Sequence, residues 1–100
     1  MRDQDPKKRP LSEGAIKQLL EGSPWTGDTA SIKRTLEFED FLSAIAFINA
    51  LAPHAEELDH HPELFNVYNR VEITLTTHDA DGVTALDFEL AGRVDAIVGD

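Results

Sequence analysis

Between Asp40 and Leu58 the apolar residues recur at three- and four-residue steps, whereas between Val71 and His78 they alternate one by one. The first spacing is the period of a helix and the second that of a strand with one buried face. A chain of 100 residues holding both patterns and no cysteine has to close a single α+β core by packing alone. Its 41% content of hydrophobic residues suffices to fill such a core. A domain this small leaves much of its surface wet, so a sizeable cavity is expected at an edge or between copies of the chain.

The remaining elements follow from local signals. Ser12 can cap a first helix running to about Leu20, with Leu11, Ala15, Ile16, Leu19 and Leu20 on its apolar side. Gly22 and Pro24 end it, and Gly27-Asp28 reads as a turn. From Ser31 to Phe38, Ile32, Leu36 and Phe38 face one way and Lys33, Thr35 and Glu37 the other, with Arg34 on the apolar face near its edge. The long helix carries a stripe of Phe41, Ile45, Ile48, Ala52 and Ala55, widened by Ala44, Leu51 and Leu58, and interrupted by Pro53. A strand near Phe65–Tyr68, a turn at Asn69-Arg70 and a strand from Val71 to His78 form a hairpin. In its second strand Val71, Ile73, Leu75 and Thr77 share a face. After a tight turn at Asp79–Gly82, Thr84 with Asp87 three residues on forms a capping box. Leu86, Leu90, Val94 and Ile97 give the last helix its apolar side. The order is helix-strand-strand-helix-strand-strand-helix. The economical packing is a single four-stranded antiparallel sheet with three helices on one face. Residues 1–10 are expected to be a flexible N-terminal segment and 11–100 the domain.

Charge excludes some functions. The net charge is −10; the first ten residues set Arg2, Lys7, Lys8 and Arg9 against Asp3 and Asp5, for +2, so the other ninety carry −12. Such a surface repels phosphate backbones, and no nucleic-acid partner is expected. No run approaches the ~20 apolar residues of a membrane span, and the polar N-terminus has no secretory pattern. A cytoplasmic location, with no membrane partner, is the simplest expectation. No Gly-rich phosphate loop or G-x-S-x-G elbow occurs.

Histidine is the residue type that points to chemistry. His60 and His61 lie at the end of the long helix before Pro62, and His78 lies at a strand end on the polar side with Thr76. Glu56 is four residues before His60, so on a continued helix the two would share a face, and the carboxylate would fix the imidazole's tautomer and raise its proton affinity. Asp87 lies close in sequence to the loop after His78. Three readings are open for these residues. Histidines at a helix C-terminus are favoured by the helix dipole alone. His and carboxylates are metal ligands, although no H-E-x-x-H or H-x-H spacing is present. Imidazole, with an unperturbed pKa of ~6.5, is also the natural proton donor and acceptor near neutrality. Trp25 is a packing residue or an aromatic wall for a planar ligand.

The spacing from Glu56 through His60-His61-Pro62, Tyr68 and His78 to Asp87 resembles the signature of the pterin-4a-carbinolamine dehydratases. Leu58-Asp59-His60-His61-Pro62-Glu63, Phe65-Asn66-Val67-Tyr68-Asn69, Thr76-Thr77-His78, Trp25 and Phe38-x-Asp40-Phe41 resemble that family too, over residues 11 to 98. The resemblance implies the fold given above and a lyase that needs neither metal nor cofactor. Its reaction would convert 4a-hydroxytetrahydrobiopterin, left by aromatic amino-acid hydroxylases, to quinonoid dihydropterin and water. It implies His60, His61 and His78 as catalytic residues, with Glu56 and Asp87 orienting imidazoles. Asp59, His60, His61, Thr76, Thr77, His78 and Asp79 would bind the pterin, and Trp25 would close one wall. Homodimers or homotetramers are implied. The alternative is a non-catalytic protein-binding, assembly or coactivator module on the same fold.

Overall fold

The computed structural model describes residues 6–99. In chain order its elements are α1 (Glu13–Leu20), β1 (Thr26–Gly27), β2 (Ile32–Glu37), α2 (Phe41–Leu58), β3 (Glu63–Val67), β4 (Arg70–Leu75) and α3 (Ala85–Val98), with 3-10 turns at Pro6–Lys8 and His78–Ala80. The sheet order is β1-β2-β4-β3, and every neighbouring pair is antiparallel. The expected order and class are therefore those observed.

Register decides which side chains meet the helices. Ile32 stands opposite Leu75, Leu36 opposite Val71, and Leu64 opposite Ile73. Since directly paired residues share a face, one face gathers Ile32, Leu36, Val71, Ile73 and Leu75. All five are buried, in one cluster with Ile16, Phe47, Leu51, Leu90 and Val94 from the helices. On the opposite face Lys33, Thr35, Glu37, Phe65 and Val67 are exposed. β1 reaches only Lys33, so the edge of β2 beyond it is open.

Three details depart from the sequence reading. The buried stripe of α2 is Ala44, Phe47, Leu51 and Ala55, while Phe41 and Ala52 are exposed. The helix is apolar on several sides, so a phase shift of one residue leaves nearly as good a stripe, and packing on the sheet selects between them. β4 ends at Leu75, before His78, which lies in the following 3-10 turn. Thr77 still keeps the inward phase and is buried, bridged to Gly82. The β3–β4 turn falls at Tyr68-Asn69, with Tyr68 at φ 51°, one residue earlier than expected.

Of the two readings of Trp25, the packing one fits: it is a core residue, not the wall that the resemblance implied. It is 3% exposed, and its indole N–H donates to Asp95 Oδ1 at 2.9 Å. The same oxygen accepts from Arg34 Nη1 at 2.5 Å. One α3 carboxylate thus satisfies both polar groups that β2 and the preceding segment turn inward.

Candidate active site

The site forms where α2 stops. Asp59 adopts the left-handed conformation (φ 51°), its N–H bonds to the Glu56 carbonyl at 3.1 Å, and the His60 N–H returns to Ala55 at 3.0 Å. This is a Schellman closure with aspartate in the place usually held by glycine. Its consequence is steric: the chain reverses at residue 59, so His60 does not continue the helical face of Glu56. His61 Nε2 meets Glu56 Oε1 instead, at 2.6 Å, on the surface. The expected Glu56–His60 relation is replaced by a Glu56–His61 pair, because the helix ends two residues too early for the first.

His60 turns inward and is 8% exposed. Its Nε2 lies 2.5 Å from Asp87 Oδ1, which is wholly buried in the first turn of α3. Asp87 Oδ2 accepts from the Thr84 N–H at 2.9 Å, completing the capping box, and from Thr77 Oγ1 at 2.8 Å. The hydroxyls of Thr77 and Thr84 are 2.8 Å apart. Because Thr77 spends its proton on Asp87, Thr84 donates to Thr77 while accepting the Leu86 N–H at 3.2 Å. Asp87 is then an acceptor at both oxygens, and His60 presents Nε2–H to it. That leaves Nδ1 as the ring nitrogen not committed to Asp87. Asp87 was expected near His78; the capping box draws it to His60 instead.

His78 is exposed, its Nε2 3.6 Å from Glu63 Oε2 on β3. The loop that carries it is closed by Thr77 and Gly82 (Thr77 N–H to Gly82 O, 3.0 Å) and pinned by the Val83 N–H to Thr29 O at 2.9 Å. A side chain at Gly82 would put its Cβ 2.7 Å from the Thr29 carbonyl, so only glycine fits this approach.

Together these pieces enclose an open cavity of about 200 Å³ lined by Lys8, Asp59, His60, His61, Thr76, Thr77, His78, Asp79 and Leu86. All three expected histidines, and the segments 59–61 and 76–79, meet there. Trp25 does not line it, and neither do Glu56 and Asp87, which touch His61 and His60. Lys8 and Leu86 escaped the sequence reading: no local pattern announces that an N-terminal turn folds back over a site formed by residues 59–79. Thr84 was visible only as a cap. Among the described residues no three His, Asp or Glu side chains converge as metal ligands. A larger hollow, about 700 Å³, lies between β2 and α2 and holds no histidine.

Fold and site together define an α+β protein of one antiparallel sheet, with a carboxylate-backed histidine and two further imidazoles around an open cavity. The family described as pterin 4 alpha carbinolamine dehydratase matches residues 9–97, and the chain belongs to that family. It is 50% identical over 88 residues to a protein of Solibacter usitatus provisionally named pterin-4-alpha-carbinolamine dehydratase, covering 87% of this chain and 93% of that one. A relative in Novosphingobium aromaticivorans with the same provisional name is 55% identical over 71 residues, covering 71% and 74%. Among solved structures, a transcriptional coactivator/pterin dehydratase from Brucella melitensis superposes with a TM-score of 0.86 at 41% identity, covering 91% of this chain and all of that one. A pterin dehydratase-like protein described as a RuBisCO assembly factor in the alpha-carboxysome gives 0.63 at 27% identity, covering 76% and 88%.

Proposed function

We propose that the protein dehydrates a pterin 4a-carbinolamine to the quinonoid dihydropterin and water. The supporting observation is the buried His60–Asp87 pair on the wall of a cavity that also holds His61 and His78. The reaction breaks the C4a–O bond and removes the N5 proton, so that C4a=N5 forms and the oxygen leaves as water. Hydroxide leaves poorly, so an acid must protonate the oxygen while a base accepts the N5 proton. Two positioned imidazoles can supply both, each for about 10² to 10⁴-fold. In this reading His60 and His78 are the acid–base pair, and His61, steadied by Glu56, chiefly binds the ring. Asp59, Thr76, Thr77 and Asp79 bind the pterin. Thr77 also donates to Asp87, which helps to fix His60. No metal or cofactor takes part.

Recycling the pterin cofactor of an aromatic amino-acid hydroxylase in the cytoplasm, as a homodimer or homotetramer, belongs to the same reading. Sedimentation measures the oligomer. The deciding experiment presents purified protein with a carbinolamine pterin generated in place and follows its decay by absorbance. Acceleration without any protein partner is expected. A decay rate equal to the spontaneous one would favour the second reading, a protein-binding or assembly module, which draws support from the coactivator and assembly-factor descriptions of structurally similar proteins.

A further inference from the structure

We propose that Lys8 is a specificity-determining residue of the cavity, recognising an oxyanion carried on the side chain of the bound pterin; this rests on the pterin reading of the site. Residues 6–10 are not free of the domain. Pro6–Lys8 form a 3-10 turn, Lys7 Nζ reaches Glu89 on α3 at 2.9 Å, Pro10 bridges Thr84, and the Leu11 N–H bonds to Val83 O at 3.0 Å. These contacts carry the Lys8 side chain, half-buried, onto the wall that faces the histidines.

Two features make this cation more than a counterion. It is the one permanently charged cation among the described residues lining the cavity. Although Asp59 and Asp79 line the same cavity, no ion pair joins Lys8 to either among the described residues. In a chain of net charge −10 an ammonium with two carboxylates nearby would ordinarily pair with one of them. Here it stays available to a ligand. The ring-binding and proton-transfer work of the reading falls to the histidines and threonines. A tethered ammonium at the N-terminal wall therefore suits the substituent that projects from the ring. An ammonium binds a phosphate or carboxylate oxygen as a point charge through strong charge-assisted hydrogen bonds. A phosphorylated side chain and a glutamyl side chain both present that chemistry.

The test is equilibrium binding, by intrinsic pterin fluorescence, of three unreactive probes: 7,8-dihydroneopterin, its phosphate ester, and 7,8-dihydrofolate. At low salt the protein should bind one or both oxyanion probes about three- to tenfold more tightly than the neutral one, a preference that shrinks as salt is added. Lys8→Met should abolish the preference and Lys8→Arg should retain it. Lys33→Met, which removes the same charge from the helix-free face of the sheet, should also retain it. Phosphate preferred over dihydrofolate assigns a phosphorylated side chain, and the reverse order a glutamyl one. No preference in the unaltered protein, or a preference that survives Lys8→Met, would overturn the proposal. Dehydration is measured in parallel, so the two readings fail separately. An oxyanion preference without turnover would retire the dehydratase reading and leave Lys8 its role, and turnover without preference would do the reverse.

Discussion

Asp87 holds together two things that the sequence presents separately. The capping box was legible from Thr84 and Asp87 alone, but the imidazole that Asp87 would meet was not. Sequence proximity pointed to His78, while the left-handed turn at Asp59 delivers His60. For the same reason Glu56 was legible as a partner of a histidine and misassigned by one residue. An i,i+4 relation holds only while the helix lasts, and nothing in Leu58-Asp59 marks the reversal as plainly as a glycine would. Asp87→Asn should keep the cap in part but cannot accept at both oxygens as a carboxylate does. Turnover is expected to fall about 10²-fold with the circular dichroism spectrum retained. A variant with undiminished turnover would detach His60 from the chemistry. Replacing His60 or His78 by Ala should likewise lower kcat by about 10² or more, and the double variant should lose less than the product of the two losses. His61→Ala, which leaves the His60–Asp87 pair intact, should chiefly raise KM. A silent His60→Ala beside a crippling His61→Ala in the same steady-state kinetics would reverse the assignment.

The helices were easier to foresee than their faces. Asp40 caps α2, its carboxylate accepting the Ser43 N–H at 2.8 Å, and that bond holds its pKa below the usual carboxylate range. Which stripe of α2 becomes buried was decided by tertiary packing, because a helix rich in Ala, Ile and Leu offers several. The α2–α3 contact had no signal in local sequence. Arg93 donates to His54 Nδ1 at 2.8 Å and to Glu57 Oε1 at 2.7 Å, joining residues 36 and 39 apart in the chain. The hydrogen bond and charge of Arg93 lower the Glu57 pKa. A carboxyl whose pKa is lower folded than unfolded contributes stability above its unfolded value, and loses it as pH falls through the folded one. Glu57→Gln should therefore be slightly less stable than the unaltered protein near neutrality. The difference should close in the acid range and shrink with salt, since the pair is exposed. Urea unfolding at a series of pH values measures it; a gap that widens toward acid would contradict the sign.

Across the whole molecule, fold class and element order were readable because two hydrophobic periods and two caps agree in a chain too short for many alternatives. The cavity was only half readable. Its histidines announced themselves, but the Lys8 wall arises from an N-terminal turn whose docking depends on α3. Among the described residues no helix is long and apolar enough to cross a membrane. If the proton transfers are carried by side chains, prolonged dialysis against a chelator should leave dehydration unaltered. Activity lost with the metal and restored by zinc or iron would refute that. The bond from Asp87 to the Thr84 N–H has a further consequence. The carboxylate that steadies His60 is also the one that starts α3, a helix contributing Leu90, Ala91 and Val94 to the core. In the unaltered protein the His60–Asp87 pair is therefore tied to the start of α3 and should be lost once that helix begins to fray. Heat inactivation and global unfolding should share one midpoint, with no temperature at which a compact but idle protein accumulates. Laboratory selection for activity would then act as selection for stability at residue 87, and a variant improved in one respect there would have to hold its ground in the other.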